Sequence, residues 1–219
     1  MSTNIVRFEA TCTLPTQWAT FNLHAFTELS SGKEHLAITL GEFSPEQPTM
    51  MRIHSECMTG DTLFSLRCDC GPQLESALVK IAAAGQGIIL YLRQEGRGIG
   101  LVNKIKAYQL QEMGADTIEA NRILGLADDL RTYSLCKPML EHFKISTIQL
   151  LTNNPTKVKE LEKLGFQVSR SEHTTTLNPF NKRYLQTKGS KMGHLLNEAS
   201  LIRTHSQSTA QKSPARTIS

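Results

Sequence analysis

Short apolar runs and helical apolar stripes succeed one another along the chain. Residues 36–40 and 50–54 are apolar enough to form strands, and Leu74, Leu78 and Ile81 then recur at helical spacing. That stripe predicts a helix opening at Pro72, because proline suits the first helical position. Residues 87–93, Gly-Ile-Ile-Leu-Tyr-Leu-Arg, form the continuous apolar run expected of a strand buried on both faces. A glycine-rich turn and a helix over 101–113 come next. The same order returns later: residues 147–151 read as a strand, Thr152-Asn-Asn as a loop, and Pro155 opens a helix that Gly165 closes. Strand–loop–helix units of this kind predict an α/β fold of mixed α+β layers in a single compact domain.

Composition narrows the class. The 219 residues, 39% of them hydrophobic, supply enough material for one core. The net charge is +4, but three of those charges lie in residues 203–219, a Ser-, Thr- and Gln-rich basic tail that is expected to be disordered. The folded body is therefore expected to span residues 1–202. The body is nearly neutral and only 6% of residues are aromatic, so no nucleic-acid partner is expected. No run reaches the ~20 apolar residues of a membrane span, and the N-terminal residues lack the apolar region of a signal peptide. With an odd number of cysteines, five, free thiols in the cytoplasm are expected rather than disulfides.

Three of those cysteines, Cys57, Cys68 and Cys70, lie close together, with Cys68 and Cys70 read as sharing one face of a strand. Three thiolates suit a zinc ion with one position left open, the arrangement of a catalytic rather than a structural site. His54 stands three residues before Cys57 in a strand-like stretch, which disfavours it as a fourth ligand. Buried free thiols are the plainer alternative, but Arg67, Asp69 and Gly71 are not core-like flanks.

Two loops suit phosphates. Gln94-Glu-Gly-Arg-Gly-Ile-Gly100 leaves a strand and enters a helix, where backbone N–H groups and the helix dipole favour an anion, but glycines serving only a tight turn explain it equally well. Lys157 falls in the first turn of the helix opened by Pro155, where a cation is disfavoured unless a ligand brings negative charge; a solvated helix face is the alternative there.

The motifs Arg52-x-His54-Ser-Glu56-Cys57, Asp61-x-Leu-Phe-Ser-Leu-Arg-Cys68-Asp-Cys70-Gly, Arg93-Gln-Glu95-Gly-Arg97-x-Ile-Gly-Leu, Leu151-Thr-Asn-Asn-Pro155 and Lys191-Met-Gly-His194 together resemble GTP cyclohydrolase II. The resemblance covers about residues 10 to 197. It implies the fold of that family and the conversion of GTP to 2,5-diamino-6-ribosylamino-4(3H)-pyrimidinone 5′-phosphate, formate and pyrophosphate, the first committed step of riboflavin biosynthesis. It further implies a homodimer with one Zn2+ per subunit on Cys57, Cys68 and Cys70, and Mg2+ accompanying the triphosphate. Tyr108 corresponds to the family's tyrosine of the ring chemistry, Asp129 to its base and Arg131 to its proposed nucleophile. Arg131 reads equally as a clamp on the phosphates, because a guanidinium stays protonated at neutral pH; Asp128 is expected to face solvent. Substrate contacts carried over are Arg52, Ile53, His54, Ser55, Glu56, Gln73, Glu95, Gly96, Arg97, Thr117, Thr152 and Lys157. Guanine presents adjacent N–H donors that one carboxylate accepts together, so Glu95 or Glu56 is the candidate reader of the base. A zinc nucleobase deaminase shares the His54-Ser-Glu56 element, but its Pro-Cys-x-x-Cys is missing.

Overall fold

A computed structural model describes residues 5–173, 175–196 and 201–203. The expected disordered tail lies outside the described residues from 204 onward. Seven strands form one sheet in the order β1-β2-β3-β5-β4-β6-β7. They are β1 (Val6–Pro15), β2 (Thr20–Glu28), β3 (Glu34–Leu40), β4 (Thr49–Ser55), β5 (Gly87–Leu92), β6 (Thr147–Leu151) and β7 (Gln167–Ser171). β1, β2, β3 and β5 pair antiparallel, whereas β5, β4, β6 and β7 run parallel. The mixed layered fold expected from the strand–loop–helix order is the one observed.

The apolar run at 87–92 became the buried strand it predicts, because helices cover both faces. Ile88, Leu90 and Leu92 point into a core shared with Met139, Leu140 and Leu161, while Ile89 points the other way, toward Ala77 and Ile81. Ala77 and Ile81 belong to α2 (Cys70–Ala84), Met139 and Leu140 to α5 (Cys136–His142), and Leu161 to α6 (Pro155–Lys163). α2 begins at Cys70, two residues before the predicted start, and Pro72 occupies its third position. Proline is tolerated there because the first N–H groups of a helix have no intrahelical acceptor. The early start also overturns the strand expected at Cys68 and Cys70: Cys68 lies in a bend and Cys70 in the first helical turn.

The helix predicted over 101–113 is α3 (Leu101–Glu112), and α6 opens at Pro155 with Asn154 as its N-cap, its side chain accepting from Thr156 N at 2.9 Å. The β1–β2 hairpin was not among the predicted elements, although Val6, Phe8, Ala10, Cys12 and Leu14 alternate with polar residues and Phe21, Leu23 and Ala25 do the same. β1 is exposed along nearly all of its length, whereas β2 buries Phe21 and Phe26.

Chain direction places the site. β4, β5 and β6 are parallel neighbours, so the loops that follow Ser55, Leu92 and Leu151 all emerge at the same end of the sheet. The crossover from β4 moves to β5 on one side, and the return from β5 passes β4 to reach β6 on the other. A crevice at the carboxyl ends of strands where connections diverge is where open α/β sheets bind ligands.

Candidate active site

The loop after β4 carries the short helix α1 (Met58–Asp61) and then turns into α2. It is held by the wholly packed carboxylate of Asp61. One Asp61 oxygen accepts from Cys57 N at 2.9 Å and from the Tyr91 hydroxyl at 2.9 Å, and His54 Nε2 lies 3.0 Å from the other. Burial holds His54 below its ordinary pKa, against the pull of Asp61. This contact directs the imidazole away from the cysteines and agrees with its exclusion as a metal ligand.

The three thiols converge as a result. Cys57 and Cys68 sulfurs are 3.7 Å apart, and those of Cys57, Cys68 and Cys70 all lie within 4.8 Å of one another. A tetrahedral ion about 2.3 Å from each sulfur sets sulfurs roughly 3.8 Å apart, so the cluster fits zinc. Among the described residues no fourth His, Cys, Asp or Glu joins it. Gly60 makes the closeness feasible: a Cβ there would meet Cys68 Sγ at 2.8 Å and Cys57 Sγ at 3.3 Å. Cys57 is the thiol that ionises first, its pKa depressed by hydrogen bonds from the other two thiols and by Lys104, whose Nζ lies 3.0 Å from its sulfur; Cys68 is pushed up to about 12.

Lys104, on α3, also donates to Glu95 Oε1 at 2.8 Å. Glu95 accepts besides from Gly96 N and, through Oε2, from Met58 N at 2.7 Å, so both of its oxygens are engaged in tying the glycine-rich turn to the cysteine loop. Glu56 accepts from Arg93 Nε at 2.9 Å through Oε2. In the same turn Gly96 and Arg97 both adopt left-handed backbone, with Arg97 at φ 62°. A non-glycine residue held there stores strain of the kind found at ligand clamps. Arg97 Nη1 is buried with no hydrogen-bond partner among the described residues, and so is Arg52 Nε.

Tyr108, one turn further along α3, lies beside the thiols. Its hydroxyl is 3.4 Å from Thr59 Oγ1, which is 3.6 Å from Cys57 Sγ, and the Arg67 guanidinium covers its ring. Burial pushes the phenol up to about 12, which keeps it protonated at neutral pH.

Further cationic side chains line the same pocket. Arg52, at the β4 core, donates to Leu151 O at 2.9 Å and to Gln73 Oε1 at 2.6 Å, and burial lowers it to about 10. Lys157 sits in the first turn of α6 as predicted, but it is buried, not on a solvated face; Nζ donates to Ile53 O at 2.8 Å. Burial and the neighbouring Arg52, Arg131 and Lys188 hold it far below its ordinary pKa. Arg131 forms a bidentate pair with Asp129, with Nη2 to Oδ2 at 2.5 Å, which raises the guanidinium and holds the carboxylate below its usual range. Asp128 is nearly half exposed, beside Arg122.

These groups line one pocket, which among the described residues seven cationic side chains and only three carboxylates border. Of the residues predicted for the site, all line it except Ile53, which contributes a carbonyl to Lys157, and Asp129, which stands behind Arg131. Thr117 reaches it from α4 (Thr117–Ile123), a helix whose capping box of Asp116 and Glu119 is legible as Asp-x-x-Glu but was not among the predicted elements. Sequence reasoning also gave no role to Asp61, Lys104, Asp69, Tyr184 or Lys188. Asp61 and Asp69 flank the cysteines in sequence, which was a usable signal. Tyr184 and Lys188 come from distant α7 (Lys182–Met192), whose end carries the quoted Lys191-Met-Gly-His194 motif, which gave neither residue a role.

Known proteins complete the picture. The family model for GTP cyclohydrolase II matches residues 7–173. GTP cyclohydrolase-2 of Azotobacter vinelandii is 59% identical over 192 residues, covering 87% of this chain and 92% of that one. The corresponding proteins of Colwellia psychrerythraea, 56% identical over 87% of this chain and 95% of theirs, and Shewanella loihica, 52% over 91% and 98%, are similarly close. With a matching family model over most of its length and relatives of this identity over nearly their whole length, the chain belongs to the GTP cyclohydrolase II family.

Proposed function

We propose that this protein hydrolyses GTP to 2,5-diamino-6-ribosylamino-4(3H)-pyrimidinone 5′-phosphate, formate and pyrophosphate, the first committed step of riboflavin biosynthesis, with residues 1–202 as the catalytic unit. The observation that carries this reading is that the three-thiol cluster shares one cavity with a surplus of cationic side chains. A nucleoside triphosphate laid along that cavity brings its purine to the cysteines and its phosphates to Arg52, Arg97, Arg131 and Lys157.

Cys57, Cys68 and Cys70 would hold one zinc ion per subunit, which when bound supplies a Lewis acid and an acidified water beside the purine C8. Tyr108, protonated and oriented by Thr59, donates a hydrogen bond to the oxygen that gains charge as the ring opens, or orients the water of the second hydrolysis. Glu56 reads guanine: its Oε1 takes no partner from the cysteine loop, whereas both Glu95 oxygens are already engaged. Arg131 acts as a clamp. Its pair with Asp129 keeps the guanidinium charged and aimed, and a charged guanidinium binds a phosphate in bidentate fashion far better than it attacks one. Asp129 orients Arg131 first and accepts a proton second, since its depressed pKa makes it a weak base. Mg2+ travels with the triphosphate. Cytoplasmic location and a homodimer complete the proposal, and no helix among the described residues is long and apolar enough to cross a membrane.

The test is mass spectrometry of the products of the zinc-loaded protein with GTP and magnesium, with formate and pyrophosphate assayed in the same tube. All three products are expected; GTP left untouched by protein that has retained zinc would overturn the reading. A trapped guanylyl adduct would replace the clamp role of Arg131 with covalent attack.

A further inference from the structure

Helix α7 lies beyond residues 7–173, the stretch that the family model matches, yet it forms part of the cavity wall. Tyr184 and Lys188 from the helix, and His194 from the turn after it, line the cavity. The helix is firmly seated. Leu185 is buried, Arg183 Nη2 donates to Gly114 O at 2.6 Å, and Asn181 Nδ2 to Thr176 O at 2.7 Å. The following turn closes onto the loop after β6, with Leu195 N donating to Asn153 O at 2.8 Å.

Lys188 joins the cation cluster through Asp69. One oxygen of this buried carboxylate accepts from Lys188 Nζ at 2.5 Å and the other from Gln73 Nε2 at 2.7 Å, and Gln73 Oε1 in turn accepts from Arg52. Four cations therefore converge, Arg52, Arg131, Lys157 and Lys188, and among the described residues two carboxylates, Asp69 and Asp129, pair with them. Lys157 is buried against a backbone carbonyl, with Arg52, Arg131 and Lys188 all disfavouring its charge. His194 sits in the same field: burial first, then Lys188, Lys157 and Arg131, lower it to about 3. A buried cluster with this surplus of positive charge is costly when empty and is relieved by a polyanion.

We propose that Lys188 and His194 are binding residues for the phosphate chain of the substrate, so that α7 and its closing turn are part of the active site. This rests on the reading that the cavity takes a nucleoside triphosphate. The Lys188 ammonium carries three N–H donors, one of which Asp69 Oδ1 accepts, and it lies 4.6 Å from the Tyr184 ring centre; a neutral imidazole offers one N–H to a phosphate oxygen.

The experiment uses zinc-loaded full-length protein, calorimetric titration with inorganic triphosphate and with guanosine, and steady-state kinetics with GTP. The variants are His194→Gln and the double variant Asp69→Asn with Lys188→Met, which removes both charges so that no buried carboxylate is stranded. Affinity for inorganic triphosphate is expected to fall about tenfold in each, with a matching rise in KM for GTP, unchanged zinc content and unchanged guanosine affinity. Triphosphate affinity within about twofold of wild type in both variants overturns the proposal. Equal losses for guanosine and triphosphate, or zinc loss in the double variant while His194→Gln binds normally, assign α7 a structural role and overturn it too. Wild type that binds triphosphate but leaves GTP untouched sinks the functional reading instead, and wild type that converts GTP beside unaffected variants sinks only the role of α7.

Discussion

Asp61 shows how one buried carboxylate organises a reactive loop. It bonds His54, Tyr91 and the backbone N–H of Cys57, so it fixes a strand, its neighbour and the first thiol at once. Asp61→Asn keeps the shape but loses the charge that strengthens these bonds; unfolding in urea should show a loss of about 2 kcal/mol, and a change below roughly 0.5 kcal/mol would detach Asp61 from this role. Tyr108→Phe removes the hydroxyl beside Thr59 and leaves the ring under Arg67. Product analysis should then show a formylated pyrimidine accumulating without formate, whereas full formate release would take the phenol out of the chemistry. Glu56→Gln replaces an acceptor pair with one acceptor and one donor, which opposes the adjacent N–H groups of guanine. Discrimination of GTP against ATP should drop about a hundredfold in competition assays, and undiminished rejection of ATP would return the base-reading role to Glu95.

At the scale of elements, α1 and α2 meet through glycines. A Cβ on Gly71 would lie 2.3 Å from Gly60 O, and one on Gly60 would strike the sulfur of Cys68. Neither neighbour is a flexible side-chain end free to swing away, so the two short segments cannot part without spreading the thiols. Gly60→Ala is therefore expected to lower zinc retention by at least tenfold in a chelator competition, and Gly71→Ala likewise; stoichiometric, tightly held zinc in both would show that the loop tolerates a wider approach. Lys157 illustrates a different element effect. The position after Pro155 is legible as a helix start, but the lysine side chain is buried with Nζ on Ile53 O of β4, so a first-turn cation joins the buried cation cluster instead of a solvated face.

At the scale of the molecule, several buried histidines set the pH response. His173, wholly buried with Nε2 against Gln73 O, is lowered to about 2, and His194 to about 3. Unfolded histidine binds a proton near pH 6.5, while these two stay neutral in the folded chain until about pH 3. The unfolded state thus holds more protons across that window, so stability falls as the pH drops from about 6.5, by about 1.4 kcal/mol per unit for each histidine. Urea midpoints between pH 7 and 5 should follow this slope in His173→Gln less steeply than in wild type; parallel curves would show that the imidazole is not kept neutral by folding.

The strands at 87–92 and 147–151, the helices over 101–112 and from Pro155, and the three metal-ligand candidates were legible in the sequence, because each rests on local periodicity or on residue chemistry at close spacing. The hairpin β1–β2 was not predicted, although Val6, Phe8, Ala10, Cys12 and Leu14 alternate with polar residues along β1 and Phe21, Leu23 and Ala25 do so along β2, which is the period-two signal of a strand. The helix start at Cys70 was missed by two residues because the approach of Gly71 to Gly60, not local propensity, decides where the chain turns. Residue types and spacing alone pointed to three thiols close along the chain as candidate metal ligands. Only the tertiary structure brought α7 and its lysine to residues 119 positions away at Asp69, gave Asp61 its partners, and engaged both oxygens of Glu95. Those outcomes depend on parallel strands delivering their loops to one end of the sheet, and distance along the chain carries no information about that convergence.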